Sequence, residues 1–263
     1  MKSKIKTYTK TFFHLLKTDM VIYKDVIVSR LIDIIIWTTT LILVTSYVLP
    51  QLGLTPTYGA FFASGLIFSA GYWHIWSIAS NFVADINGPK TINHNLTLPV
   101  PNSLVLIKQI ISSAIQSGLP TLIILPIGKL LLLKRFPLTN FSFFKFSIIF
   151  ILSNLFVGAF SMFIVSVVKD MNHIGKIGVR FMFPLWFLGG SQFSWLTLHT
   201  FAPKFSYATL ANPLIYALEG SRTAILGQKG YIPFWTCIGM LFLFSILFGW
   251  LGIIKMKKRL DYV

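Results

Sequence analysis

The chain has 263 residues, of which 55% are hydrophobic, 16% aromatic and only 11% charged. Soluble domains carry about 25% charged residues, so the composition excludes a water-soluble enzyme, and the high hydrophobicity excludes intrinsic disorder. The 23 Lys and Arg against 7 Asp and Glu give a net charge of +16. In so apolar a chain this excess indicates a lipid bilayer as partner, with cations on cytoplasmic segments, and no nucleic acid.

The first segment, residues 1–29, is too charged to cross a bilayer. Between residues 4 and 24, apolar residues recur at helical spacing on one face and lysines run along its flank. This pattern predicts an amphipathic helix in the membrane interface, with its lysines at phosphate level. A disordered basic tail is the alternative. The apolar face consists of Ile5, Tyr8, Phe12, Leu15, Leu16, Met20 and Tyr23.

Six later segments have the roughly 20 apolar residues that a membrane-crossing helix needs. They predict an all-α polytopic membrane protein with six transmembrane helices and both termini on the same side. Cytoplasmic termini place 16 of the 23 Lys and Arg in the cytoplasm, which the positive-inside rule favours. Pro184 and Gly189-Gly190 predict a kink or break in the fifth span. The spans are roughly 31–49, 58–82, 104–127, 142–168, 178–198 and 233–254.

Aromatic residues are concentrated in the second and fifth spans. Such side chains offer apolar surface to an amphiphilic substrate, or they pack against neighbouring helices and lipid. The candidate residues of a substrate path are Tyr72, Trp73, Trp76, Phe183 and Trp186.

The cytoplasmic loop between the second and third spans, residues 83–103, has the signals of a short structured element. Gly88-Pro89 predicts a turn, and prolines near its end stop any helix before the third span begins. An ordinary polar connector is the alternative. The residues of interest are Asp85, Gly88, Pro89, Lys90, Thr91, Leu98 and Pro99.

The stretch before the last span, residues 199–232, is too broken to cross the bilayer and too apolar for a solvated loop. It fits a re-entrant helical segment held inside protein, because lipid does not tolerate exposed backbone groups. Glu219, the only glutamate, and Arg222 are spaced to pair on a helix. Together with Asn212, Pro213 and Tyr216 they form a compact box.

These features resemble the type-2 ABC export permeases, the membrane subunits of ATP-driven exporters of drugs, lipids or polysaccharides. The most specific part is the box at 212–227, which contains the pattern Asn-Pro-Leu-x-Tyr-x-x-Glu-Gly-x-Arg, and the loop that ends in Leu-Thr-Leu-Pro-Val also contributes to the resemblance. The resemblance covers the whole chain, 1–263, as a single permease domain. It implies that 1–29 is the elbow helix, that 83–103 docks on the ATPase, and that 199–232 caps the extracytoplasmic end of the pathway.

The resemblance also implies the partners and the location. They are an ABC ATPase subunit and a second copy of the chain or a related permease, in a bacterial inner membrane. The chain contains no G-x-x-x-x-G-K-[ST] run that would cradle nucleotide phosphates. We therefore expect a non-catalytic subunit without a cofactor or metal of its own, with ATP and Mg on the partner ATPase. Asp85 is the only acidic residue in a loop where the family commonly has several.

Two other classes of function are an integral-membrane enzyme and an ion-coupled secondary carrier. Both need ionisable groups at membrane depth, and the chain has few. Asp33 near Arg30 is interpreted as an interfacial salt bridge, and His74 as a hydrogen-bonded core residue without a carboxylate partner. His-Glu-x-x-His and Gly-x-Ser-x-Gly motifs are absent, which favours the permease.

Overall fold

The computed structural model describes residues 2–88, 91–98 and 100–260, and within these ranges every regular element is helical. Short π or 3₁₀ segments join or end several of the helices. The α-helices are α1 (Lys2–Leu43), α2 (Tyr58–Asn87), α3 (Thr91–Leu96), α4 (Asn102–Gly118), α5 (Ile124–Leu132), α6 (Phe143–Val167), α7 (Met171–Ile177), α8 (Phe183–Trp186), α9 (Trp195–Phe201), α10 (Pro203–Thr209), α11 (Pro213–Leu226) and α12 (Phe234–Leu260).

Helix α1 joins the predicted amphipathic leader and the predicted first span without a break. It has 42 residues, a length of about 63 Å. No Gly or Pro lies between Lys2 and Leu49, so no residue in this stretch interrupts the backbone hydrogen bonds. A π segment, Val44–Val48, and a 3₁₀ turn then lead to Gly53, which has a φ of 100°. Near residue 30, where a boundary between leader and first span was expected, only the composition changes and the helix continues.

The leader half of α1 docks on α4 through the face that the sequence pattern predicted to be apolar. Tyr23 on this face is buried and donates a hydrogen bond from its hydroxyl to the carbonyl oxygen of Gln116 at 2.9 Å. Asp19 forms an ion pair with the buried Lys108 at 3.0 Å. Because Lys108 is 1% exposed, its charge depends on Asp19 for compensation. Part of the predicted lipid-facing surface therefore contacts protein.

Within the described ranges, four helical runs are long and apolar enough to cross a membrane. They contain the predicted first, third, fourth and sixth spans. The predicted second span lies in the 30-residue helix α2, where Gly, Ser, Tyr and His lower the mean hydropathy. The predicted fifth span is divided among short π and α segments. The four runs are Lys6–Leu52, Asn102–Arg135, Phe143–Val167 and Phe234–Arg259.

Helix α2 lies at the centre of the bundle, where it packs against α1, α4, α5, α6 and α11. Its side chains Leu66, Tyr72 and Ile75 are almost completely buried. This position explains the composition of the helix, because a helix surrounded by protein does not need the hydropathy of one that faces lipid.

The predicted break in the fifth span is present at its C-terminal end. Gly190 has a φ of 84° inside the π segment Phe187–Ser191, and glycine adopts this left-handed conformation without a Cβ penalty. A second π segment, Gly178–Met182, directly precedes α8. Pro184 lies just after this π segment, and the residues before it are helical, so its missing N–H interrupts the hydrogen bonds of a continuous helical run. The chain turns at Gly190 and continues into α9–α11.

Gly158 permits the close approach of α6 to α4. A Cβ at this position would overlap the carbonyl oxygen of Ile110 and lie 3.2 Å from Ala114. We expect Gly158→Ala to lower the free energy of unfolding by about 1–3 kcal/mol, as overpacked core substitutions do. The matched control is Gly239→Ala in α12, because a Cβ there meets no atom within 4 Å and alanine favours a helix by about 0.5–1 kcal/mol. Thermal unfolding of the detergent-solubilised chain measures both, and equal melting temperatures would contradict the prediction.

Candidate functional site

Asp85 holds the short helix α3 against the end of α2. Its Oδ1 accepts the N–H of Thr91 at 2.9 Å, and its Oδ2 accepts the N–H of Ile92 at 3.0 Å. These two donors belong to the first turn of α3, where backbone N–H groups have no partner within the helix. The side chain of Ile92 is buried beneath α3. Residues 91–96 are thus a structured element, and the single carboxylate of the loop is used to cap it.

The C-terminal side of α3 is closed by local hydrogen bonds. The amide and hydroxyl of Thr97 both donate to the carbonyl oxygen of His94, at 3.1 and 2.8 Å. Leu98 is half-buried, and the buried Val100 leads into α4. Gly88 is exposed in the turn after α2. Of the predicted loop residues, Pro89, Lys90 and Pro99 lie outside the described residues.

Helix α11 contains the predicted box and is buried from Pro213 to Ile225. With 14 residues it is about 21 Å long, which is shorter than a hydrocarbon core of about 30 Å. Asn212 caps it by accepting the N–H of Leu214 at 3.0 Å, and it donates from its own amide to the carbonyl of Leu185 at 2.7 Å. The hydroxyl of Tyr216 donates to the carbonyl of Leu210 at 2.8 Å. The box thereby connects α11 to α8 and to the preceding turn.

The predicted pair of Glu219 and Arg222 is present at the centre of this region. Glu219 Oε1 and Arg222 Nη1 are 3.5 Å apart, and both side chains are 0% exposed. The carboxylate also accepts the N–H of Trp195 on Oε1 at 3.2 Å and the N–H of Ile232 on Oε2 at 3.0 Å. A buried charge is stable only when it is paired and hydrogen-bonded, and Glu219 meets both conditions.

Arg222 also has several partners, although its Nε atom is buried without one among the described residues. It donates to the carbonyl oxygens of Ser191 at 3.3 Å and Phe193 at 3.4 Å, and its guanidinium lies 3.7 Å from the ring centroid of Phe61. Stacking of a guanidinium on an aromatic ring adds cation–π attraction. The ion pair of Glu219 and Arg222 therefore ties α11 to the end of the broken helix, to α9, to the start of α12 and to α2. We call these two residues and their partners the outer latch.

The partners in the outer latch were not predicted from the sequence. Ser191, Phe193, Trp195 and Ile232 contribute backbone groups, which carry no sequence signal. Phe61 contributes a ring, but it is one of 25 Phe in the chain. The Gly190 turn was the one available clue, since it redirects the backbone before these residues.

Three of the five predicted substrate-path residues line one cavity of about 480 Å³ between α1, α2, α4 and α8. The ring centroid of Trp73 is 4.6 Å from that of Phe183 and 5.8 Å from that of Trp186. The indole N–H of Trp186 donates to the hydroxyl of Ser69 at 3.1 Å, which fixes its orientation. We call this the aromatic cavity. Its remaining lining includes Arg30, Asp33, Trp37 and His74.

The other two predicted path residues lie elsewhere. Tyr72 is buried and donates from its hydroxyl to the carbonyl oxygen of Met182 at 3.0 Å. The ring of Trp76 packs directly on the backbone of Gly178, leaving no room for a Cβ there. Both therefore hold the π segment before α8 against α2, and they do not line the aromatic cavity.

The interpretations of Asp33 and His74 need correction. Among the described residues, the two ion pairs are Asp19 with Lys108 and Glu219 with Arg222. Asp33 is in neither, and it lines the aromatic cavity. The Nε2 atom of His74 is buried and has no hydrogen-bond partner within this part of the chain. Asp33 and Arg30 are both on α1, but their charged groups are not within ion-pair distance.

Comparison with known proteins assigns the chain to a family. A family model described as ABC-2 type transporter matches residues 11–226, which include the loop around α3, the aromatic cavity and the outer latch except for Ile232. No curated protein matches the chain. The described helices agree with this match, since several are long and apolar enough to cross a membrane. The chain therefore belongs to the ABC-2 type transporter family and is a multi-pass membrane permease.

Proposed function

We propose that this chain is the permease subunit of an ATP-driven ABC exporter that moves an amphiphilic drug, lipid or polysaccharide out of the cytoplasm. A separate ABC ATPase subunit supplies the energy, and ATP and Mg bind there. The observation that carries the proposal is α3, a short helix capped by Asp85 between the two long helices α2 and α4. The family match is the supporting argument for an ATPase beneath it.

The proposed topology has six crossings, with both termini in the cytoplasm of a bacterial cell and the chain in its inner membrane. The distribution of Lys and Arg favours this orientation. Helix α2 and the helical run 171–191 would add two crossings to the four long apolar runs. The 21 Å length and complete burial of α11 suit a re-entrant segment that enters from outside and returns.

Helix α2 supplies a mechanical link between the three candidate sites. Asp85 near its C-terminal end holds α3, Trp73 in its middle lines the aromatic cavity, and Phe61 near its N-terminal end stacks on Arg222. The helix is continuous over 30 residues, about 45 Å. A displacement of α3 by the ATPase would therefore move the cavity wall and the outer latch together. Two copies of the chain, or one copy and a related permease, would enclose the pathway.

The proposal is tested by measuring ATP turnover with and without a partner. We expect the purified chain in proteoliposomes to hydrolyse no ATP, because it has no phosphate-binding loop. Adding the cognate ABC ATPase from the same genome should give a complex whose hydrolysis depends on the chain. A non-cognate ABC ATPase from that genome is the control.

Two results would oppose the proposal. ATP hydrolysis by the chain alone would show that it is not a non-catalytic subunit. Solute uptake driven by a proton or sodium gradient without any ATPase would indicate an ion-coupled carrier.

A further inference from the structure

Two cavities of different character adjoin each other beside α2. The aromatic cavity of about 480 Å³ is large enough for a small organic molecule. A second cavity of about 190 Å³, which we call the polar cavity, lies next to α3 and is lined by Asp19, Asp85, Lys108 and Gln116 among others. His74 lines both. An amphiphile in the aromatic cavity would place its apolar body among the tryptophans and its polar end beside the charged residues of the same cavity, Arg30 and Asp33.

The charges around these cavities favour a cation over an anion. Lys108 in the polar cavity is already neutralised by Asp19 at 3.0 Å. Within the described part of the chain, the partners of Asp85 are the uncharged N–H groups of Thr91 and Ile92. Asp33 in the aromatic cavity has no ion-pair partner among the described residues. Among the described lining residues, Arg30 is the one Lys or Arg without an ion-pair partner, and three carboxylates face two cationic side chains across the two cavities.

The aromatic walls favour the same charge. Trp37, Trp73 and Trp186 line one cavity together with Phe183. An aromatic face attracts a cation through its quadrupole, and tryptophan does so most strongly. The rings of Trp73, Phe183 and Trp186 pack against one another and present such faces together. A free carboxylate beside such rings suits a positively charged group with an apolar body.

The buried Nε2 of His74 is a second, independent indication of a ligand. It has no protein partner within the described residues, and an unsatisfied buried polar atom is costly. It lies at the wall shared by the two cavities. A polar group of a ligand, or a water molecule accompanying it, would satisfy this atom.

We infer that the aromatic cavity binds a lipophilic cation, with its positive charge beside Asp33 and its apolar body between Trp37, Trp73 and Trp186. The inference rests on the proposed function, because it names the substrate class of that exporter. The positive charge of Arg30 repels a bound cation, so Arg30 limits how strongly the cavity prefers cations to anions.

The inference is tested with two probes of the same shape and opposite charge, tetraphenylphosphonium and tetraphenylborate. Binding to the full chain is measured by equilibrium dialysis in phosphatidylcholine nanodiscs, after subtracting uptake by empty nanodiscs. We expect saturable binding of the phosphonium that is about tenfold tighter than that of the borate. Asp33→Asn should weaken phosphonium binding by about tenfold, and Arg30→Gln should strengthen it.

Matched variants separate binding from folding. Trp73→Ala should weaken phosphonium binding, whereas Trp250→Ala should not, because Trp250 is 60% exposed on α12 and lines neither cavity. Asp33→Glu keeps the charge and should retain most of the affinity. The melting temperature of each variant is also measured. Only variants that melt at the same temperature as the unaltered chain are compared, so that a folding defect is recognised.

Three results would overturn the inference. These are tighter borate binding that depends on Arg30, phosphonium binding that Asp33→Asn leaves unchanged, and no saturable binding of either probe. The assay contains neither ATPase nor nucleotide, so its failure leaves the ATP-driven exporter standing. Conversely, if the chain binds the phosphonium but couples to no ATPase, the binding site is supported and the proposal of an ATP-driven exporter is rejected.

Discussion

Replacing Arg222 by Ala is expected to lower the free energy of unfolding by about 3–5 kcal/mol, because it leaves a buried carboxylate without its cation. Glu219 is 0% exposed and would keep only the N–H groups of Trp195 and Ile232 as partners. The carbonyl oxygens of Ser191 and Phe193 would also lose their donor. Thermal or denaturant unfolding of the solubilised chain measures the loss. The matched control is Arg180→Ala, since Arg180 is exposed and surface substitutions stay within about 0.5 kcal/mol.

A double-mutant cycle isolates the ion pair from the rest of the outer latch. We expect Glu219→Ala and Arg222→Ala together to cost less than the sum of the single changes, with a coupling of about 0.5–3 kcal/mol. The double variant should still be unstable, because each orphaned N–H group costs about 1–3 kcal/mol. Strictly additive losses would mean that the two charges are stabilised by their backbone partners and not by each other.

The outer latch shows which contacts a sequence can reveal. Glu219 and Arg222 were predicted to pair because positions i and i+3 on a helix are neighbours by geometry alone. Their backbone partners come from segments between 13 and 31 residues away and are atoms that every residue possesses, while Phe61 comes from a segment much earlier in the chain. Such contacts depend on the Gly190 turn and on the docking of α12, which only the three-dimensional structure defines.

The membrane topology illustrates a different limit. Periodicity predicted the helical character of the leader, but a change in composition was interpreted as a boundary although no residue between Lys2 and Leu49 breaks a helix. Hydropathy identified the four long apolar runs well. It says less about α2, whose Gly and Ser residues reflect contact with other helices.

The aromatic cavity was predicted in part for a geometric reason. Tyr72 and Trp73 are adjacent in sequence, so their side chains point about 100° apart on α2. Only Trp73 faces the cavity, whereas Tyr72 reaches Met182. Trp37 was missed, although it lies one helical turn after Asp33 and therefore on the same face. A polar residue at membrane depth followed at i+4 by Trp was the available signal.

Asp85→Ala is expected to uncouple ATP turnover from export while the chain still inserts and folds. A six-residue helix has little intrinsic stability, and α3 depends on the two bonds from Asp85 to the N–H groups of Thr91 and Ile92. Loss of a helix cap costs about 0.5–2 kcal/mol. This is small against global stability, but 1–2 kcal/mol reduces the population of formed α3 by about 5–30-fold. Export by the reconstituted complex should fall by a similar factor, with ATP hydrolysis affected less.

The control for this variant is Ser194→Ala, which removes a comparable cap from α9. The hydroxyl of Ser194 accepts the N–H of Thr197 at 3.1 Å, and α9 lies on the opposite side of the membrane in the proposed topology. The ratio of export to ATP hydrolysis in Ser194→Ala should match that of the unaltered chain. Asp85→Asn retains one acceptor oxygen and should give an intermediate ratio. If coupling is unaltered in Asp85→Ala, residues 83–103 are a plain connector. The ATPase would then have to act through another cytoplasmic element. The most similar one is α7, which is also capped by an aspartate, Asp170.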